Sequence, residues 1–167
     1  MAYSEWKQHI IEVPSGFVSL TFNEKGIYRL GLSRELNISE FCPAVGKEKL
    51  PWPDLADEIQ GYFKGREIKG DYPIIWDGYS AWTLKVLQLT RLIPYGETVS
   101  YKRLAVMAGV PKGARAVGQA LHRNRTPLLI PCHRVVGQRG CLVGFGQGLE
   151  WKRELLDLER SAQGADL

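Results

Sequence analysis

Cysteine is scarce in this chain, with three residues in 167, at positions 42, 132 and 141. So low and odd a count, in an ordinary globular composition, argues against a disulfide framework. No Cys-x-x-Cys or His-x-x-x-His pair occurs, so the spacing of a zinc site is missing. No apolar run is long enough to cross a bilayer. Met1 to Ile11, with Glu5, Lys7 and His9, lacks the apolar centre of a secretory signal. Internal repeats and low-complexity tracts are also absent. These absences lead to the expectation of a cytoplasmic globular protein, 44% hydrophobic and 24% charged. The net charge of +4 and pI near 9.0 favour a polyanionic partner, but only weakly.

The first part of the chain reads as mixed strand and helix. Phe17 to Phe22 and Ile27 to Leu32 are strand-like runs around a hairpin turn, Asn23-Glu24-Lys25-Gly26. Phe41 to Pro53 has loop composition. Asp54 to Phe63 carries Leu55, Ile59 and Tyr62 at helical spacing. Lys64 to Asp77 is irregular or extended. A domain boundary is expected near Gly78, giving a 1–78 α/β domain with an antiparallel sheet and a mainly helical 79–167 domain. The fold class is α+β.

In the second half, Trp82, Val86, Leu89 and Ile93 mark a helix that ends at Pro94-Tyr95-Gly96. Ser100 is a good N-cap for a short helix bearing Tyr101, Leu104, Ala105 and Ala108, stopped by Gly109. Val110-Pro111-Lys112-Gly113 then turns into a second helix, Ala114 to Arg123. This is helix-turn-helix spacing. The second helix has an inner face of Ala116, Val117, Ala120 and Leu121, shared by Asn124. Its outer face holds Ala114, Arg115, Gly118, Gln119 and His122. Glycine inside a helix costs roughly 1 kcal/mol against alanine. Gly118 therefore needs a reason, either the close approach of another surface or tight packing on a neighbouring helix, and spacing does not choose between them.

Pro127 to Pro131 reads as an apolar extended run delivering Cys132-His133-Arg134. Leu149 to Arg160 reads as a helix whose buried side, Leu155 and Leu156, also carries Glu159. A carboxylate placed inward needs a partner, and His133 is the natural one. Thiol, base and orienting acid would then be Cys132, His133 and Glu159. On spacing alone the plainer reading is favoured, with Cys132 a small buried hydrophobe and Glu159 at a solvent-exposed helix end.

Ile130-Pro131-Cys132-His133-Arg134-Val135 resembles the active-site signature of the O6-alkylguanine-DNA alkyltransferases. The resemblance runs from about Trp82 to Glu159, through Ile93-Pro94-Tyr95-Gly96-Glu97-Thr98-Val99-Ser100-Tyr101, Ala114-Arg115-Ala116-Val117-Gly118, Asn124 and Leu155-Leu156-Asp157-Leu158-Glu159. It implies direct-reversal DNA repair, in which an alkyl group passes irreversibly from O6 of guanine to Cys132, once per molecule. His133 would be general base through a bridging water, and Glu159 would orient its ring. The Tyr101 hydroxyl would hydrogen-bond N3 of the leaving guanine and can protonate it. The recognition helix would enter the minor groove, with Ala114, Gly118 and Gln119 at the DNA and Arg115 filling the gap left by the extruded nucleotide. Carbonyls of Cys132 and Val135 would face the exocyclic amine and the Gly146 N–H would face O6. Phe145 would line the alkyl pocket, Asn124 would be a hinge, and Arg134 would serve structural ion pairing.

The chain departs from the common family pattern at Phe145 and Gln147, where relatives often have Tyr and Gly, and at Leu87 and Thr83, where Trp and Gln are common. The first two bear on the alkyl pocket and the last two on packing. Some relatives bind zinc in the N-terminal part, but Cys42 and His9 are too few, so no metal and no cofactor are expected. Cys141 is assigned no chemistry. The expected partner is duplex DNA containing O6-alkylguanine, bound by a monomer that is cytoplasmic and nucleoid-associated when on DNA. Three other readings compete. A non-catalytic damage sensor would not need Cys132, a cysteine hydrolase would leave Arg115 and Gly118 without a purpose, and a plain helix-turn-helix regulator would not need the proline-bounded cysteine segment.

Overall fold

The structure, a computed structural model, describes residues 6–36 and 49–164. Cys42 and most of the expected Phe41–Pro53 loop lie outside the described residues. The architecture is α+β, in two compact units, Met1–Ile75 and Trp76–Leu167. Among the described residues no helix is long and apolar enough to cross a membrane.

Among its described residues the first unit forms a three-stranded antiparallel sheet and one helix. Strands β1 (Lys7–Val13), β2 (Gly16–Asn23) and β3 (Gly26–Ser33) pair in that order. The sequence reading gives only β2 and β3. It misses β1 because Ile10 and Ile11 stand side by side and blur the period of two that marks a half-buried strand. Pairing resolves the ambiguity. Ile11 lies opposite Val18 and is buried, whereas Ile10 lies opposite Ser19 and stays partly exposed. The β2–β3 turn falls where expected, and the Lys25 N–H donates to Asn23 Oδ1 at 2.8 Å. Gly26 is required there, since its φ is +150° and a Cβ would meet the Pro73 carbonyl at 2.6 Å. Helix α1 (Leu55–Tyr62) buries Leu55, Ile59 and Tyr62, the three positions its periodicity marks. Pro73 to Ile75 runs beside β3, bonded to both backbone groups of Ile27.

The second unit contains α2 (Ala81–Arg91), β4 (Val99–Ser100), α3 (Tyr101–Met107), α4 (Ala114–His122), β5 (Val135–Val136) and α5 (Leu149–Gly164). Helix α2 presents a different stripe from the one expected. Thr83, Val86, Leu87 and Thr90 are buried, while Trp82 and Leu89 are only partly covered. Apolar spacing could not show this because two of the four are threonines. Their hydroxyls are satisfied locally, Thr90 donating to the Val86 carbonyl at 2.7 Å and Thr83 accepting from the N-cap Ser80 at 3.0 Å. Helices α3 and α4 pack on each other, and both pack on α2. Ser100 caps α3 by accepting from the Arg103 N–H at 3.0 Å, and Gly109, at φ +82°, ends the segment.

Candidate active site and nucleic-acid interface

Strands β4 and β5 are only two residues each, yet they organise the site. They pair in parallel, Val99 with Val135 and Ser100 with Val136. That ladder sets the first turn of α3, and with it Tyr101, beside the segment that follows Cys132.

The segment before Cys132 is not extended, contrary to the sequence reading. The Ile130 N–H bonds back to the Thr126 carbonyl at 2.9 Å, and Leu128 takes a left-handed φ of +71°. Prolines at 127 and 131 bar a helix, but a φ near −65° suits turns as well as extended chain. Burial of Leu128, Leu129 and Ile130 favours the turn and offsets the left-handed strain. Cys132 to Arg134 then form a single 3₁₀ turn. Cys132 and His133 therefore do not point to opposite sides of a strand, as an extended segment would require.

Four charged or polar groups lie behind the thiol, all buried: His133, Arg134, Lys152 and Glu159. Glu159 is turned inward and meets His133 Nε2 at 2.8 Å. Arg134 donates to it through Nε at 3.0 Å and Nη2 at 3.0 Å, and the Gly96 N–H donates at 2.9 Å. Arg134 Nη1 also reaches the Ile93 carbonyl at 2.6 Å. Burial raises the Glu159 carboxyl, but the hydrogen bonds and charges of His133 and Arg134 outweigh it and bring it down to about 2. Burial holds His133 below its ordinary 6.5, against the upward pull of Glu159. The ring is thus neutral, and with Nε2–H donating to Glu159 its acceptor is Nδ1.

The sequence reading misses Lys152. Its side chain is fully buried, and Nζ donates to three carbonyls, Val135 at 2.6 Å, Val143 at 2.9 Å and Gly144 at 3.2 Å, and to the Tyr101 hydroxyl at 3.3 Å. Burial lowers the ammonium to about 8. A signal was present, because Lys152 stands three residues before Leu155 and seven before Glu159, on the same inward stripe of α5. The Tyr101 hydroxyl donates to the Val143 carbonyl at 2.8 Å. Burial, and then the neighbouring Cys132, raise its pKa.

Burial pushes the Cys132 thiol up to about 11, against smaller downward pulls from the Asn124 hydrogen bond and the Lys152 charge. The resting sulfur is therefore held as a neutral thiol, which fits a base that must take its proton. Asn124 Nδ2 lies 3.0 Å from Sγ and 2.9 Å from the Ile130 carbonyl, joining the end of α4 to the cysteine turn.

Cys132 opens onto a cleft of about 710 Å³. One wall is the outer face of α4, with Ala114, Arg115, Gly118 and Gln119. Tyr101, Phe145 and Gly146 also line it, whereas Asn124, His133, Val135 and Glu159 lie behind Cys132 and do not. Both carbonyls expected to face a substrate amine already accept a bond, that of Val135 from Lys152 and that of Cys132 from the Val135 N–H. A carbonyl has a second lone pair, so neither is closed to substrate. Phe145 meets His133 edge-on at 6.5 Å between ring centroids. The structure bears on one of the two reasons for Gly118, tight packing on a neighbour. A Cβ there would meet only the Tyr101 ring, at 3.8 Å, which is ordinary contact. Contact with described neighbours therefore does not require the glycine.

Known proteins are similar to this chain in architecture and sequence. Residues 81–161 match the family model described as 6-O-methylguanine DNA methyltransferase, DNA binding domain. The chain is 37% identical over 152 residues to the methylated-DNA–protein-cysteine methyltransferase of Methanosarcina barkeri, covering 91% of this chain and 96% of that one. It is 38% identical over 153 residues to the constitutive enzyme of that name from Bacillus subtilis, covering 89% and 92%. Among solved structures, the OGT of Mycobacterium tuberculosis in complex with DNA aligns with a TM-score of 0.77 at 31% identity, over 93% of this chain and 94% of that one. The chain belongs to the methylated-DNA–protein-cysteine methyltransferase family.

Proposed function

We propose that this protein repairs O6-alkylguanine in duplex DNA by moving the alkyl group onto Cys132, irreversibly and once per molecule, after the nucleotide has swung out of the helix. The supporting observation is the position of Cys132 at the floor of a cleft whose wall is the outer face of α4. A thiol so placed cannot reach O6 of a stacked base, so extrusion is required. Helix α4 enters the minor groove, where Ala114 and Gly118 permit close approach. Arg115 is exposed and occupies the vacated stack, offsetting an unstacking cost of roughly a few kcal/mol. Phosphate contacts dominate affinity, so binding weakens with salt and shows little sequence preference.

The sulfur forms a bond to the alkyl carbon as the carbon–O6 bond breaks. Because the thiol is protonated at rest, its proton must leave during the reaction. It passes through a water to Nδ1 of His133, and Glu159 steadies the imidazolium. The leaving purine gains a proton at N3 from the Tyr101 hydroxyl, which Lys152 replenishes across their 3.3 Å contact. The product thioether has no leaving group that water can displace easily, so turnover ends there. Incubation with a duplex carrying labelled O6-methylguanine should move one label per molecule onto the peptide that contains Cys132. Cys132→Ala should take up no label yet still bind the duplex. An unchanged peptide mass in the native protein would overturn the reading.

A further inference from the structure

Residues 77–79, which enter the second unit, enclose the side chain of Arg125. The Tyr79 hydroxyl accepts from both the Arg125 backbone N–H at 3.0 Å and its Nε at 3.2 Å. Arg125 Nη2 donates to the Asp77 carbonyl at 2.8 Å, and the guanidinium lies 4.2 Å from the centroid of the Tyr79 ring. Between them Gly78 takes a φ of +84°, a left-handed turn that closes the chain around the guanidinium. An arginine held at backbone and side chain together, on a segment just after a helix end, fixes its neighbours closely.

The neighbour on one side is Asn124, which donates to the Cys132 sulfur. On the other is Thr126, fully buried, whose N–H donates to Asn124 Oδ1 at 3.0 Å. Helix α4 ends at His122 and the Asn124 N–H still bonds back to the Leu121 carbonyl at 3.0 Å, so beyond Asn124 the course of the chain rests on the Arg125 and Thr126 contacts. The Asn124 amide keeps its aim on Sγ only if residues 124–126 keep their course. On the reading that Cys132 is the alkyl acceptor, we infer that Arg125 and Tyr79 are positioning residues that hold Asn124 against the reacting sulfur from outside the cleft.

The test uses full-length Tyr79→Phe, Arg125→Ala and the double variant, with two readouts. The first is the pH dependence of Cys132 carboxamidomethylation by iodoacetamide, read by mass on the peptide. It reports the surroundings of the thiol, where Asn124, Lys152, His133 and Tyr101 all act, and needs no DNA. The second is the rate of benzyl transfer from free O6-benzylguanine. Each single variant should move the titration midpoint upward and slow transfer about tenfold, the worth of a hydrogen bond to an anionic sulfur. The double variant should be no slower than either single one, because both act through Asn124. Asn124→Ala should reproduce the shift. Additive slowing with an unmoved midpoint would overturn the inference, and so would unchanged rates in folded variants. Should Arg125→Ala fail to fold, Tyr79→Phe alone decides, since it keeps the ring and removes only the acceptor. Failure of the native protein to accept a benzyl group would count against the alkyl-acceptor reading, while the iodoacetamide titration would still report on Asn124.

Discussion

The two units of this chain are built on opposite rules. Among the described residues of the first, every buried side chain is apolar or aromatic, from Val18, Leu20 and Phe22 on the sheet to Leu55 and Ile59 on α1. The second buries His133, Arg134, Lys152 and Glu159, along with three threonines. The charge is divided as unequally. From Trp76 onward the sequence has 13 Lys and Arg against 7 Asp and Glu, while the part before it has 9 against 11. Burying charge is costly and does not by itself favour a fold. The second unit accepts that cost where a thiol meets a cleft, which separates a part that holds shape from a part that does chemistry.

The difference should be largest when one buried group is removed from each unit. Glu159→Ala would leave Arg134 and His133 buried without their carboxylate, at a cost of about 3–5 kcal/mol. Leu30→Ala in the first unit should cost roughly 2–5 kcal/mol through its cavity. The two should differ in pH dependence. Below its unfolded value near 4.5, the Glu159 contribution should fade and be gone once pH drops through about 2. His133 works in the same direction, because the unfolded ring takes a proton below 6.5 that the folded ring resists. Chemical denaturation of the native protein and both variants between pH 7 and pH 3 is the check. A Glu159→Ala penalty as large at pH 3 as at pH 7 would break the comparison.

An alkaline effect on rate should be smaller and confined to the second unit. Lys152 loses its proton near 8 when folded and 10.5 when unfolded, so its burial opposes folding below about 8 and ceases to do so above about 10.5. Under the proposed mechanism catalysis should respond the other way, because there the cationic form, which donates to the Val143 and Gly144 carbonyls, also supplies the Tyr101 proton. Single-turnover transfer should therefore decline as pH rises past about 8, while the fold persists. In Lys152→Met the rate should be lower throughout and this decline should vanish. A native rate that climbs steadily towards pH 10 would mean that thiol ionisation, not the ammonium, governs the step.

What could be read in advance follows the same division. Helix α1, the β2–β3 hairpin and the inner face of α4 were legible because apolar residues alone define them. Strand β1 was obscured by two adjacent isoleucines, and the α2 stripe by threonines that satisfy their hydroxyls within the helix. At the site, spacing put Glu159 on the buried side of α5 but by itself favoured a solvent-exposed helix end, and it is the His133 and Arg134 pairing that turns the carboxylate inward. Lys152 shared that stripe but was passed over, because a lysine on a helix is ordinarily a solvated one. The turn before Cys132 was unreadable for another reason, since prolines restrict φ without choosing between turn and extended chain.

The smallest effect is the most discriminating. Gly118 weakens α4 and no described neighbour requires it, since the nearest atom to an added Cβ is an ordinary 3.8 Å contact with Tyr101. Gly118→Ala should therefore raise stability, by up to about 1 kcal/mol. Position 118 lies on the cleft wall, so the same methyl should weaken binding to duplex and slow transfer from duplex substrate, with little change towards free O6-benzylguanine. A protein more stable yet poorer only on DNA would locate the reason for this glycine outside the molecule, in a surface that must come closer than a side chain permits. Equal slowing on both substrates would place its role at the thiol instead, and a drop in stability would mean that α4 has a packing constraint the Tyr101 contact does not reveal.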